Sequence, residues 1–352
     1  MNILFQLNHP AHYHMFKHAV RQLSLEGHQV HIVIKSKDIL ESLLKDSGIP
    51  FYNIQPKSHR KNYAGILYDT FLRTWKTGLY VIRYHIDVLV GSTPEVAQVG
   101  WLLRRRRINL LEDDAAIIPQ LIRFIKPFSQ ICLAPSSCNT GPLEKKTIHY
   151  PGYQKLAYLH PSRFEPDKNV ASKYVDTTHP FILLRIVALK AYHDIGNHAK
   201  GMDLKTIQRI IDLFRPVGNI YISAERPLEP TLEPYRLDIA PIDIHHVMAY
   251  ATLYAGDSQS MAVEAAMLGI PSIRISTFAG RIGVLEELEK SYGLTFGFQP
   301  SETENAIEKI KEILTMDDSR ALFQHRRQRM LSEKIDVTDF IVRQIEMTGA
   351  IS

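Results

Sequence analysis

Three groups of residues in this chain are of the right type and spacing to do chemistry. The first lies within Ala251–Ile275, where Thr252 to Ala255 form a short apolar run before Gly256-Asp257-Ser258. Met261, Ala262, Ala265, Ala266 and Leu268 then recur at helical spacing. A strand, a tight turn and a helix in that order present first-turn backbone N–H groups at the positive end of the helix dipole, over Gly256, Asp257, Ser258, Gln259 and Ser260. That is a receptor for a phosphate or diphosphate. Glu264 lies about one and a half turns further along, where a carboxylate can accept hydrogen bonds from vicinal hydroxyls such as those of a ribose.

The second group is the loop Asn8 to His14, with imidazoles at His9, His12 and His14. No carboxylate or cysteine sits at ligand spacing from them and His9 precedes a proline, so hydrogen bonding or proton transfer to a substrate fits better than metal binding. The third group is charged. Glu112-Asp113-Asp114 follows the apolar run Ile108 to Leu111, where a catalytic carboxylate can emerge from a strand end. Arg185 lies near the end of the apolar strand Pro180 to Val187, with Lys190 and Tyr192 in the loop beyond. An arginine in a buried strand is costly unless paired, so it meets either a carboxylate or a ligand phosphate, and the cationic loop favours the phosphate.

Each group also has a plainer reading. Small-residue turns serve in many α/β proteins only to reverse the chain, histidines and acids cap helices, and Glu264 could lie on the solvated face of its helix. Glu112 to Asp114 would then be a cap for a helix over Ala115 to Ile125.

The elements that would position these groups alternate regularly. Asn2 to Leu7, Gln29 to Ile34, Phe51 to Ile54, Asp87 to Val90, Ile108 to Leu111, Gln130 to Ala134 and Lys146 to Tyr150 read as strands. Between the first five, Tyr13 to Leu25, Lys37 to Asp46 and a long segment Tyr63 to Arg83 read as helices. Pro151 to Asp167, with Pro151, Gly152, Pro161 and Pro166, reads as a linker. Beyond it come strands at Pro180 to Val187, Asn219 to Ser223, Thr252 to Ala255 and Ser272 to Ile275. Helices follow at Gly283 to Lys290, Glu302 to Leu314, Ser319 to Ile335 and Val337 to Met347. The expectation is α/β with two Rossmann-like domains, over residues 1–160 and 161–335, and a C-terminal helix over 336–352 that can pack back on the first.

At 352 residues, with 45% hydrophobic and 22% charged residues, the chain has the composition of a globular protein of two domains rather than a disordered or fibrous one. A formal charge of +5, from 42 basic and 37 acidic residues, suits anionic ligands or an anionic membrane surface and does not call for nucleic acid. No segment is long and apolar enough to span a bilayer. The two cysteines, Cys132 and Cys138, come with neither CxxC spacing nor a secretory leader, so a cytoplasmic, reducing setting is expected. Arg104 to Arg107 reads as a cationic helix end or, with Trp75, Trp101, Leu102 and Leu103, as a patch that rests on anionic lipid at the inner face of the plasma membrane.

Two βα halves with phosphate-type turns concentrated in the second resemble the GT-B fold of sugar-nucleotide glycosyltransferases and nonhydrolysing sugar-nucleotide 2-epimerases. Asn8-His9-Pro10-Ala11-His12, Asp87 to Gly91, Glu112-Asp113-Asp114-Ala115 and Tyr150 to His160 resemble the family known as domain of unknown function 354. So do Phe164-Glu165-Pro166-Asp167 and Gly256 to Met261 with Glu264-Ala265-Ala266. The resemblance implies two Rossmann-like domains facing a cleft. The second would bind a nucleoside diphosphate sugar, most simply a UDP-sugar, with Gly256 to Ser260 on the diphosphate and Glu264 on the ribose. The first would present the acceptor or reacting sugar to His9, His12 and His14.

Three activities fit that fold. A metal-independent glycosyltransferase of surface polysaccharide or glycolipid assembly needs a base, for which His12, His9 or Glu112 is a candidate. It also needs positive groups on the leaving diphosphate, here Arg185, Lys190 and the helix N-terminus at Ser258. Sugar-nucleotide 2-epimerases carry acidic residues at strand ends, near which Glu112 falls. They also carry a His-Arg-Arg-Glu-Asn motif after the first strand of the second half, which Arg185 to His193 lacks. The third is a non-catalytic nucleotide-sugar binder.

Overall fold

A computed structural model describes residues 1–36, 39–55, 63–187 and 201–350. The basic approach Lys57, His59, Arg60 and Lys61, and the loop residues Lys190, Tyr192 and His193, lie outside the described residues. The chain divides into two compact units, Met1–Arg163 with Ile335–Ser352, and Phe164–Lys334.

In the first unit the order is β1 (Asn2–Leu7), α1 (Pro10–Leu25), β2 (Gln29–Lys35), α2 (Leu40–Asp46), β3 (Tyr52–Gln55) and α3 (Tyr63–Arg83). Then follow β4 (Val88–Gly91), α4 (Pro94–Leu102), β5 (Arg106–Leu110), α5 (Pro119–Ile125), β6 (Ile131–Pro135), β7 (Thr147–Tyr150) and a helical turn α6 (Leu156–Leu159). The strands form one parallel seven-stranded sheet in the order β3-β2-β1-β4-β5-β6-β7. Near-continuous apolar strands such as β1, buried from Ile3 to Leu7, are what a parallel sheet covered on both faces requires. Leu4, Val33, Ile54, Val81, Ile86, Leu89, Val96 and Val99 close one face of its core.

The second unit continues with α7 (Lys168–Ala171), β8 (Phe181–Ile186), α8 (Leu204–Phe214), β9 (Asn219–Ala224), α9 (Ile244–Met248), β10 (Leu253–Gly256) and α10 (Gln259–Met267). It ends with β11 (Ser272–Ile275), α11 (Gly283–Lys290), β12 (Thr295–Phe298), α12 (Thr303–Thr315) and α13 (Ser319–Glu333). Its five parallel strands run β12-β11-β10-β8-β9. The last helix, α14 (Val337–Ala350), belongs to the first unit, where Thr338 Oγ1 donates to the carbonyl of Ala157 at 2.7 Å and Arg163 pairs with Asp336 at 2.6 Å.

Several local expectations change. Residues 151–160 are not a linker: Tyr153 to Leu159 are all buried, and Pro151 and Gly152 turn the chain into α6 rather than loosening it. The helix expected from Ala115 begins only at Pro119, so Glu112 to Asp114 do not cap it. Arg106 and Arg107 are strand residues of β5, leaving only Arg104 and Arg105 in the turn, and Leu103 packs on the core rather than on the surface patch. The edge strand β12 was not anticipated, because Thr295-Phe296-Gly297-Phe298 is too short for a periodicity to show.

Candidate functional site

In a parallel sheet every strand ends on one edge, and ligands bind there where the chain leaves one strand for opposite sides of the sheet. In the second unit this switch lies between β8 and β10. From β8 the chain turns outward to β9 and then returns to the other flank as β10. The turn Gly256-Asp257-Ser258 therefore falls at the switch point. Backbone crowding explains the glycine: a Cβ at position 256 would lie 2.9 Å from the carbonyl oxygen of Arg185 and 2.6 Å from the Tyr254 hydroxyl. Ser258 caps α10 by accepting from the N–H of Met261 at 3.3 Å, and Gly269 ends the segment with φ of 71°. The first-turn N–H groups of Gln259 and Ser260 have no carbonyl one turn back to bond, as at any helix start.

The side chains around this turn are engaged in ways the sequence did not settle. Arg185 meets a carboxylate. Its Nη1 donates to Ser223 Oγ at 2.7 Å and its Nη2 pairs with Glu225, because β8 and β9 are neighbours in register. Asp257 is buried, and its Oδ1 accepts from the N–H of Val187 at 2.9 Å. Through that bond Asp257 holds the end of β8, and its own N–H donates to the carbonyl of Arg185 at 3.4 Å. Gln259 is also used internally: Arg274 Nη1 donates to its Oε1 and its Nε2 donates to Ser276 Oγ, both at 2.9 Å. Only its backbone faces the receptor role.

Glu264 is buried rather than on a solvated face, and its Oε1 lies 3.4 Å from His245 Nε2 on α9. Arg274, at the end of β11, is fully buried, with Nε and Nη2 lacking hydrogen-bond partners, and burial lowers its pKa to about 10. Neither His245 nor Arg274 was singled out from sequence. A charge inside Ser272-Ile273-Arg274-Ile275 gave the same signal that marked Arg185.

Burial pushes the Asp257 carboxyl up to about 6, against its hydrogen bonds and Arg185 and Arg226, which act the other way. A carboxyl raised on folding binds its proton more tightly in the native state. Its contribution to stability is thus fully present below the unfolded pKa near 4 and is lost as pH rises through about 6. Asp257→Asn keeps an acceptor for Val187 and removes that loss. It is expected to be about 1–3 kcal/mol more stable than the parent at pH 7 and equal to it at pH 4, read by urea denaturation at the two pH values. Equal stability at both would remove the assignment.

In the first unit the switch lies between β1 and β4, and His9 and His12 follow β1 directly. His9 is the N-cap of α1: its Nδ1 accepts from the N–H of Ala11 at 3.2 Å. His12 Nδ1 accepts from the N–H of Asn8 at 3.2 Å. In the neutral rings Nε2 then carries the proton, so each imidazole is a donor at Nε2 and the general-base role expected of them does not fit this arrangement. His14 turns inward instead, buried against Tyr13 and Tyr158.

Glu112 follows β5, two strand spacings or about 10 Å from the end of β1. Its Oε2 is 2.5 Å from Lys155 Nζ, which is almost fully buried, while its Oε1 is buried without a hydrogen bond. The neighbouring Asp113 is pushed up to about 6 by burial and by the carboxylates of Glu112 and Asp114, with Lys155 acting against them. Among the described residues, one group of His and carboxylates is close enough to share a cation, Glu26, His28 and Glu346, at the opposite edge of the sheet.

Two parallel Rossmann-like α/β units in one chain define a GT-B-like fold. No protein-family model matches the chain, and no curated protein matches it by sequence. Among solved structures it is similar to the UDP-GlcNAc 2-epimerase of Neisseria meningitidis bound to UDP-GlcNAc, with TM-score 0.70 and 13% identity over 99% of this chain and 100% of that one. It is similar to a putative UDP-N-acetylglucosamine 2-epimerase of Listeria monocytogenes, with TM-score 0.72 and 13% identity over 100% and 97%. A spinosyn rhamnosyltransferase complexed with its aglycone also matches, with TM-score 0.60 and 14% identity over 98% and 100%.

Proposed function

We propose that the chain is a metal-independent glycosyltransferase that uses a nucleoside diphosphate sugar, most simply a UDP-sugar, in surface polysaccharide or glycolipid assembly. The motif string from Asn8 to Ala266 supports placing it in the domain of unknown function 354 family. The observation that carries the reading is the position of the Gly256–Ser258 turn at the topological switch of the second sheet, opening α10 with its N–H groups available to a diphosphate. The second unit holds the donor there, with Glu264 accepting from the ribose. In the first unit, Asp113 takes the proton of the acceptor hydroxyl, and His9 and His12 donate from Nε2 to substrate oxygens. A carboxyl titrating near 6 is poised for proton transfer at neutral pH.

The experiment is calorimetric titration with UDP, GDP, CDP and dTDP on the parent and on Glu264→Ala. One nucleotide is expected to bind tightly and to weaken by about 30-fold in the variant, the worth of hydrogen bonds to a charged acceptor. No binding of any of them overturns the reading. A 2-epimerase is the second reading, favoured by the carboxylates that cluster after β5. Conversion of UDP-N-acetylglucosamine without an acceptor, followed by proton NMR, would select it. Nucleotide binding with no turnover under either condition would leave a non-catalytic binder.

A further inference from the structure

Helix α3 leaves an apolar face uncovered. Tyr68, Phe71, Trp75, Leu79 and Ile82 are each between 46% and 67% exposed, where a helix packed on a sheet ordinarily turns polar side chains outward. Their spacing places all five within one stripe less than a quarter of the way round the helix and about 21 Å long. The inner face of α3 is accounted for: Arg73 pairs with Glu95 at 2.5 Å and Thr74 Oγ1 donates to Gln98 at 3.1 Å, which sets α4 alongside. One turn further along α4, Trp101 and Leu102 are again exposed, Trp101 with its ring edge-on to Phe128.

The cationic turn follows the two exposed α4 side chains directly in the chain. Trp101, Leu102, Gln130 and the four arginines Arg104 to Arg107 line an open groove of about 650 Å³. None of the four is ion-paired among the described residues. Arg104 sits at φ of 53° in the residue after the C-cap of α4, where glycine is the unstrained choice, so the chain keeps a cation at a position that favours none. The acids of α3 and α4 are Asp69 and Glu95, and both are buried.

We propose that this face of the first unit docks on a bilayer containing anionic phospholipid. The α3 stripe, Trp101 and Leu102 enter the headgroup–acyl boundary, and Arg104 and Arg105 meet lipid phosphates. Exposed apolar side chains together with cations, with no exposed acid on α3 or α4, are complementary to that surface. It is poorly complementary to a second copy of itself, because two such faces would bring cations together with no carboxylate to pair them. The inference stands apart from the nucleotide reading, since it uses neither switch point.

The test is co-sedimentation of the full chain with phosphatidylcholine vesicles and with equimolar phosphatidylcholine–phosphatidylglycerol vesicles, without nucleotide. The parent is expected to sediment with the anionic vesicles and not the neutral ones, and to be released as salt is raised. Phe71→Ser with Trp75→Ser should weaken partitioning by at least about tenfold. Arg104→Gln with Arg105→Gln should weaken it by roughly fivefold per arginine. Both pairs lie on the surface, so an unchanged melting temperature is the control for folding. Absence of sedimentation with anionic vesicles overturns the proposal, as does partitioning that neither pair changes. So does a concentration-dependent dimer in sedimentation velocity that Phe71→Ser with Trp75→Ser abolishes while the parent ignores vesicles, which would assign the face to a second copy.

Discussion

Lys155→Met is expected to lower the unfolding free energy by about 3 kcal/mol, because it strands a carboxylate. Lys155 is 2% exposed and its Nζ lies 2.5 Å from Glu112 Oε2, whose other oxygen is buried with no hydrogen bond. Taking both charges out of water already cost the fold desolvation energy. Deleting one partner keeps the cost for the other and forfeits the attraction. Replacing both, as Lys155→Met with Glu112→Leu, should recover most of the loss, since apolar pairs of similar volume often substitute for buried ion pairs without penalty. Urea denaturation of the two variants checks this. A change within about 0.5 kcal/mol for Lys155→Met would mean that water reaches Glu112 well enough to replace the lysine. The pair matters beyond stability, because it ties the segment after β7 to the end of β5, where the acidic turn lies.

Asp113→Asn is expected to lower turnover by about 10²–10⁴-fold while leaving the protein folded. Burial and the carboxylates of Glu112 and Asp114 disfavour its ionised form and raise it to about 6, so the charge weakens the fold at neutral pH and its removal should not destabilise the chain. If Asp113 is the base, it works only when ionised. The pH profile of kcat/KM should therefore rise through about 6 and level off above it. Lys155 acts to lower this carboxyl, so Lys155→Met should move that limb to higher pH. Turnover with sugar nucleotide and acceptor, followed by nucleotide release, is the readout. An Asp113→Asn variant with full activity and an intact acid limb would take Asp113 out of the reaction.

The candidate site shows how far residue types alone reach. The turn at Gly256 to Ser258 was legible because every feature that makes it is local: a short apolar run, small residues, a capping serine, helical periodicity, a glycine and a proline within about 20 residues. The long helix over Tyr63–Arg83 was legible for the same reason. Arg185 was legible as a costly charge, but the choice of partner was not, since Ser223 and Glu225 lie 38 and 40 residues away and become neighbours only when β8 and β9 align. His9, His12 and His14 look alike in the sequence. Backbone geometry at the start of α1 gives the first two a hydrogen bond at Nδ1 and turns the third into the core, so three similar residues end in two different surroundings.

By itself the sequence determined the α/β class, the parallel arrangement that its apolar strands demand, and the helix start that can receive a phosphate. Each follows from a periodicity or a turn rule acting over a few residues. The tertiary structure alone decided that Lys155, in a stretch rich in proline and glycine, is a buried partner of Glu112, that Asp257 holds the end of β8, and that Asp113 is crowded enough to titrate near neutrality. Those outcomes depend on burial and on strand neighbours far apart in the chain. Desolvation and Coulomb energy are properties of the assembled surroundings, and no short window of residues contains them.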